Sequence, residues 1–207
     1  MRFRTLLIAT LASLLTAVLA SQAQVPGVNS TLQTVFTLAY DNSTMKPSYS
    51  ARAAFTPGGT PTDVCSITGS STRRVKVRRI VIAGTLTTTI TEYVAIVKRS
   101  TANSAGAGSA MTKVPYDSNN AASTVAVAEV WTGTAPTVGT LVGVLADIPV
   151  TFAATTIVNQ GTEFKFGELA QPVVLRGVAQ QLSLNLEGQG GGAGTIQCFF
   201  EWTEDND

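Results

Sequence analysis

The chain has 207 residues, which is enough for one large domain or two small ones. Only 13% of the residues are charged, about half the share of an ordinary soluble protein, and the formal net charge is +1. The chain has no histidine and two cysteines, which excludes histidine-based catalytic triads, histidine metal sites and a four-cysteine zinc site. The charge balance also argues against a dedicated nucleic-acid-binding protein.

The first 23 residues have the pattern of a secretory signal peptide. Arg2 and Arg4 precede an uncharged apolar run over residues 6–20, and small residues precede a cleavage site after Ala23. The run is too short to cross a bilayer comfortably. Residues 1–23 are therefore predicted to be a cleaved signal peptide, and the alternative is an uncleaved apolar arm that packs inside an assembly.

No helical periodicity follows this segment, and the rest of the chain consists of short β-branched runs separated by Gly, Pro, Asn and Ser. Residues 24–60 are predicted to be a loose N-terminal arm, with one strand at 32–40 and turns over 41–59. Residues 61–207 are predicted to form the domain, with a hairpin turn at Gly84 and Thr85. Its candidate strands are 64–68, 73–83, 86–99, 124–132, 141–145, 150–158, 164–166, 173–176, 181–186 and 196–202. About ten short strands without a helix predict an all-β, antiparallel, jelly-roll-like β-sandwich.

The two cysteines, Cys65 and Cys198, fall in the first and the last candidate strand of the predicted domain. Such strands often lie close together in jelly-roll and Greek-key folds. In an exported protein, the oxidising environment favours a disulfide between them. Closing a loop of about 130 residues would contribute about 4–5 kcal/mol in the chain-entropy model. The alternative is two buried free thiols that behave as small apolar residues.

One charge cluster in the predicted domain is a candidate ionic contact patch, and we call it the cationic patch. Its residues are Arg73, Arg74, Lys76, Arg78 and Arg79. On a strand, Arg74, Lys76 and Arg78 project from one face, and Val75 and Val77 from the other. Three interpretations stay open: a solvated strand whose like charges oppose aggregation, ionic contacts within or between subunits, and an external anionic ligand. The acidic partners considered for the second are Glu201, Glu204, Asp205 and Asp207.

Residues that could carry catalysis are scattered. A glycosidase needs two carboxylates that face each other across a cleft, and spacing along the chain leaves open whether two of them meet, so a hydrolase with paired carboxylates is kept as a third interpretation. Trp131 and Trp202 are interpreted as core or interface residues rather than as a sugar platform. We find no cofactor or metal motif, so no cofactor is expected and the chain is predicted not to be an enzyme. The carboxylates outside the C-terminal run are Asp63, Glu92, Asp117, Glu129, Asp147, Glu163, Glu168 and Glu187.

Several strings of strand and turn residues between positions 60 and 204 carry a family resemblance. They are PTDV at 61–64, ITGS at 67–70, VKVRRI at 75–80, KRSTANS at 98–104, VPYDSNNAA at 114–122, GTLVG at 139–143, QPVVLRG at 171–177 and EWTE at 201–204. In these strings the chain resembles uncharacterised phage and prophage proteins. The resemblance implies an all-β virion module that decorates a capsid, tail or fibre, often as a trimer, and it carries no known site residue. The signal-like N-terminus departs from it, because most tailed-phage structural proteins assemble without export.

The sequence and the resemblance together predict a non-enzymatic virion structural protein, a capsid or tail decoration or a fibre subunit, that self-associates. The alternative is a secreted or cell-surface β-sandwich that binds carbohydrate or builds an extracellular fibre. The expected partners are copies of the chain, with a trimer favoured, other virion or surface proteins, and glycan in the alternative. Nucleic acid is not expected. The expected location is the virion or the extracellular space.

Overall fold

The structure is a computed structural model that describes residues 46–58, 62–154, 161–167, 171–188 and 193–206. The predicted signal peptide and the predicted strand at 32–40 lie outside the described residues. Within them there are twelve strands and no helix. The strands are β1 (Ser48–Phe55), β2 (Thr62–Thr68), β3 (Arg74–Leu86), β4 (Ile90–Arg99), β5 (Gly108–Ala110), β6 (Lys113–Pro115), β7 (Ala128–Trp131), β8 (Leu141–Phe152), β9 (Thr162–Lys165), β10 (Val173–Leu175), β11 (Gln181–Leu186) and β12 (Gly194–Asp205).

Two antiparallel sheets pack against each other. The first sheet has the order β10-β3-β12-β1-β6, and β9 pairs with β3 on the same edge as β10. The second sheet has the order β5-β7-β2-β11-β4-β8. If β9 and β10 are counted as one interrupted strand and the short β5, β6 and β7 are left out, eight strands remain. Numbered 1 to 8 in chain order, they have the order 1-8-3-6 in the first sheet and 2-7-4-5 in the second. This is the order of an eight-stranded jelly roll, so the predicted fold class is confirmed.

The core lies between the two sheets. Buried residues alternate along β12 and much of β1 in the first sheet, as expected where one face of a sheet is covered, whereas β2 and β11 of the second sheet are buried almost throughout. Trp202 stacks on Tyr49 of β1 with the ring centroids 5.9 Å apart. Both tryptophans, Trp131 and Trp202, are buried. The fully buried positions of β12 and β11 include Ile196, Cys198, Phe200, Trp202, Leu182 and Leu184.

A disulfide bond joins Cys65 of β2 to Cys198 of β12. The two strands belong to different sheets, so the bond crosses the core and ties the sheets together. Both cysteines are fully buried. The alternative of two free thiols does not describe this structure, because these are the two cysteines of the chain.

The sandwich begins earlier in the chain than the predicted boundary at residue 61. β1 pairs with β12 over eight residues, from Ser48 opposite Thr203 to Phe55 opposite Ile196. Its sequence, SYSARAAF, is rich in Ala and Ser, which have little intrinsic strand preference. The strand forms because it is paired on both sides, by β12 and by β6. Residues 48–55 are therefore part of the first sheet rather than of an arm.

The predicted hairpin turn at Gly84 and Thr85 is wrong. Both residues lie inside β3, and β3 and β4 belong to different sheets, so the connection between them crosses the sandwich. Gly84 serves a close approach instead. A Cβ atom at this position would lie 2.4 Å from the carbonyl oxygen of Thr195 in the paired strand β12. Gly84 therefore marks a close backbone contact within a sheet rather than a turn.

A buried carboxylate holds the segment that precedes β7 against the end of β12. Glu204 is fully buried and accepts hydrogen bonds from the hydroxyl of Ser123 at 2.5 Å, the amide of Thr124 at 2.9 Å and the indole nitrogen of Trp202 at 3.0 Å. Burial raises the pKa of this carboxyl. The hydrogen bonds lower it more strongly, and the net pKa lies below its ordinary value of 4.5.

We expect Glu204→Gln to lower the free energy of unfolding by about 1–3 kcal/mol at pH 7, because the amide nitrogen of glutamine then faces the N–H of Thr124 or of the Trp202 indole, and these groups can only donate. Urea unfolding measures the change, and Glu187→Gln, at an exposed position, is the matched control. A carboxyl with a lowered pKa stabilises the fold above its ordinary pKa, and this contribution is lost as the pH falls through the folded value. The difference in the free energy of unfolding between wild type and Glu204→Gln should therefore become smaller below about pH 4.5. A constant difference would contradict the assignment.

Candidate functional site

A β-bulge places two adjacent arginines on the same face of β3. In the pairing with β12, Arg79 lies opposite Glu201 and Val77 lies opposite Trp202, so Arg78 is an extra residue in β3. Such a bulge turns consecutive side chains to one side of the sheet. The burial pattern agrees, because Val77 is buried and the next buried residue is Ile80. Arg78 and Arg79 therefore both project from the outer face of the first sheet.

Arg79 lies between two carboxylates that come from different strands. Its Nη1 donates to Glu163 Oε1 of β9 at 3.0 Å, and its Nε lies 3.1 Å from Glu201 Oε2 of β12. The guanidinium carbon also lies 5.3 Å from the centre of the Phe199 ring, within cation–π range. Lys165 Nζ lies 3.5 Å from Glu163 Oε2. This row of charges links β9, β3 and β12 across the sheet.

Tyr116, which follows β6, lies beside the charged side chains of Arg79 and Glu201. Its hydroxyl interacts with Glu201 and Arg79, while 56% of the residue remains exposed. Burial of the hydroxyl and the hydrogen bond to Glu201 raise its pKa to about 12, so the phenol stays protonated at neutral pH. Together these side chains line an open cleft of about 350 Å³, which we call the Arg79 cleft. Its lining residues are Arg78, Arg79, Tyr116, Glu163, Lys165, Phe166 and Glu201.

Residues of the cationic patch contact different carboxylates. Lys76 Nζ lies 2.7 Å from Asp205 Oδ2, and Arg74 Nε lies 3.7 Å from Asp205 Oδ1. Lys46 also pairs with Asp205. Glu204, one of the acidic partners considered above, is instead bound within the buried cluster described for the fold.

The remaining patch residues have separate surroundings. Arg73 lies beside Tyr49, and its charge and hydrogen bond lower the pKa of that hydroxyl. Burial raises this pKa more strongly, so the net pKa lies above its ordinary value. Arg79 pairs with Glu201, and Asp207 lies outside the described residues. The interpretation of ionic contacts within the subunit therefore describes Arg74, Lys76 and Arg79.

The second candidate surface is the free edge of β8, which the sequence interpretation divided into two strands. β8 is continuous over twelve residues, and β4 is its one neighbouring strand among the described residues. Its first half is apolar and exposed on both faces. The large exposed residues, which we call the β8 edge, are Leu141, Val142, Val144, Leu145 and Ile148.

Two of the scattered carboxylates, Asp63 and Glu163, are paired with arginine side chains in the described part of the chain. Asp63 is fully buried and receives hydrogen bonds from Arg99, Asn103 and Asn185. Glu163 and Glu201 share the Arg79 guanidinium, and Lys165 also lies beside Glu163. No group of three or more Cys, Asp or Glu side chains among the described residues is placed to hold a metal ion.

Comparisons with known proteins give no neighbour for this chain. A scan against protein-family models, a search of curated proteins and a search of solved structures each found no match. The described residues also contain no helix that is long and apolar enough to cross a membrane.

Proposed function

We propose that the chain is a non-enzymatic structural subunit of the virion type, and that copies of it associate through the β8 edge. The observation that carries this proposal is a twelve-residue apolar strand with one unpaired side. An exposed strand edge presents unpaired N–H and C=O groups to another chain. Natural sheets usually shorten, charge or cover such edges, so a long apolar one indicates a contact surface.

The other sheet edges of the described domain support this interpretation by contrast. β5 and β6 have three residues each, β10 has three and β9 has four. Short edge strands offer little for another chain to pair with. β8 is three to four times longer, and Val142 at its exposed end is 61% exposed. β8 is therefore the one long edge strand among the described residues, although two β-bulges opposite β4 and Pro149 interrupt its regularity.

The sequence of β8 suits pairing with a second copy. Antiparallel pairing about a two-fold axis at Val144 would place Asp147 of each copy opposite Leu141 of the other. No like charges then face each other, and Pro149, which lacks an N–H, falls outside the paired stretch. The contact would bury apolar side chains on both faces of the strand. The disulfide further supports the proposed virion or extracellular location, because structural disulfides persist in oxidising environments.

We expect the wild-type protein to be a dimer or larger at micromolar concentration, and Val144→Lys to be a monomer. In the two-fold register the new lysines face each other, which costs several kcal/mol and weakens association more than about a hundredfold. Light scattering after size-exclusion chromatography measures both masses. The matched control is Val178→Lys, which introduces the same charge at a residue that is 51% exposed, between β10 and β11.

The masses distinguish the proposal from its alternatives. A monomeric wild type, or an oligomer that Val144→Lys leaves intact, overturns the role of the β8 edge. A trimer that Val144→Lys dissolves supports that role, and it replaces the two-fold register with a head-to-tail contact.

A further inference from the structure

Three cations line the Arg79 cleft, and Arg78 is the one whose charged group is best placed to bind a ligand. Arg79 is paired with Glu163 and Glu201, and Lys165 lies beside Glu163. The guanidinium of Arg78 has no hydrogen bond or ion pair with the described residues, and Arg78 is exposed at the bulge. A guanidinium presents a planar set of donors that fits a carboxylate with two parallel hydrogen bonds. The bulge therefore holds a carboxylate-binding group at the mouth of a cleft.

We propose that the Arg79 cleft binds an acidic saccharide, with Arg78 on the sugar carboxylate. The cleft holds three cations and two carboxylates, so its net charge of +1 suits one negative group per bound ring. Glu163 and Glu201 offer oxygens that accept hydrogen bonds from sugar hydroxyls. The volume of about 350 Å³ lies at the lower end of the range for small-molecule sites.

Aromatic rings provide the apolar surface that a sugar ring needs. Tyr116 and Phe166 line the cleft, and Tyr116 leaves more than half of its surface exposed. Its hydroxyl is held by Glu201, so the ring has a fixed position against which a sugar can pack. A site with a few placed polar groups beside aromatic surface is the usual composition of small-molecule sites.

The same charges argue against a polyphosphate as the ligand. Nucleic acid presents closely spaced negative charges along its backbone, and its binding requires several unpaired cations. In the Arg79 cleft, Glu163 and Glu201 would repel the neighbouring phosphates and already hold Arg79. A uronic acid carries one carboxylate on each ring, together with several uncharged hydroxyls. The mixture of charges therefore favours a saccharide.

The test is a titration of the full chain with tetragalacturonic acid, followed by calorimetry or NMR. We expect binding to the tetramer, little binding to its methyl ester, which lacks the charge, and little binding to acetate, which lacks the ring. Arg78→Gln should weaken binding by about ten- to a hundredfold, the loss of one hydrogen-bonded charge contact. Arg176→Gln, at an exposed position outside the cleft, is the matched control.

Three comparisons of variants or ligands would overturn the proposal. They are unchanged binding in Arg78→Gln, equal binding of the methyl ester, and tighter binding of a single-stranded DNA 12-mer than of the tetramer. Absence of tetramer binding at millimolar concentration would also reject it. Arg78 is exposed, so thermal unfolding of Arg78→Gln should match wild type and separate lost binding from lost folding. The cleft is separate from the β8 edge, so Val144→Lys should still bind the tetramer.

Discussion

Reduction of the Cys65–Cys198 disulfide is expected to lower the free energy of unfolding by about 4–5 kcal/mol. The two cysteines are 133 residues apart, so the bond closes a loop that contains most of the described domain. Such a loop restricts the unfolded chain strongly, and this restriction is lost on reduction. Domains of this size have total stabilities of about 5–15 kcal/mol. This one bond therefore supplies a large share of the stability of the sandwich.

Guanidinium chloride unfolding with and without reductant measures the effect. Both cysteines are fully buried, so the bond becomes accessible to reductant mainly on unfolding. The double variant Cys65→Ala/Cys198→Ala should lose at least as much stability as the reduced wild type, because it also removes buried sulfur atoms. Its unfolding midpoint should not respond to reductant, which makes it the control. A difference of less than about 1 kcal/mol between oxidised and reduced wild type would contradict the chain-entropy argument.

The predicted strands inside the sheets are confirmed more closely than the alternating run at 124–132, of which only Ala128–Trp131 is a strand. β11 has the predicted bounds, and β2 and β12 extend the predicted strands by a few residues. β1 was missed because its small residues carry no pattern and the strand depends on pairing with β12. β8 was divided because Asp147 and Pro149 interrupt its apolar run. Its pairing with β4 continues across both residues, so tertiary contacts determine its length.

The candidate sites required information that spacing does not contain. The five cations of the cationic patch were visible in the sequence, but the bulge that turns Arg78 and Arg79 to one face depends on the register with β12. Glu163 reaches Arg79 from β9, 84 residues later in the chain. The β8 edge was hidden for a related reason, because a run of apolar residues normally predicts a buried strand. Only the sheet order shows that this strand has one free side.

The second large effect is expected at a buried ion pair on the face of the second sheet opposite the core. Arg99 of β4 donates from Nε and Nη2 to the two carboxylate oxygens of Asp63, both at 2.7 Å. The amides of Asn103 and Asn185 donate to the same carboxylate at 2.8 Å and 2.7 Å. Arg99 also donates to the carbonyl of Gly139 at 2.9 Å. The pair thereby ties two loops to β2, β4 and β11.

Removing one partner of this pair leaves the other charge buried. Asp63 is fully buried and Arg99 is 6% exposed, so water cannot replace the lost contact without a rearrangement of the covering loops. We expect Arg99→Met to lower the free energy of unfolding by about 3–5 kcal/mol at pH 7. The double variant Asp63→Asn/Arg99→Met removes both charges and should lose less than the sum of the two single variants. Chemical unfolding of the four proteins gives the coupling energy.

The pH dependence of the same cycle separates a charge effect from a packing effect. Burial raises the pKa of Asp63. The hydrogen bonds from Arg99, Asn103 and Asn185 together lower it by more than burial raises it, so the net pKa lies below its ordinary value of 3.8. A carboxyl with a lowered pKa stabilises the fold above its ordinary pKa, and that stability is lost as the pH falls through the folded value. Without the Arg99 guanidinium, the folded-state pKa of Asp63 is higher in Arg99→Met than in wild type. The difference in the free energy of unfolding between the two proteins should therefore narrow as the pH falls from the higher of these pKa values through the lower one. If Arg99 acted only by filling space, the difference would not change with pH, because the methylene groups that methionine retains do not titrate.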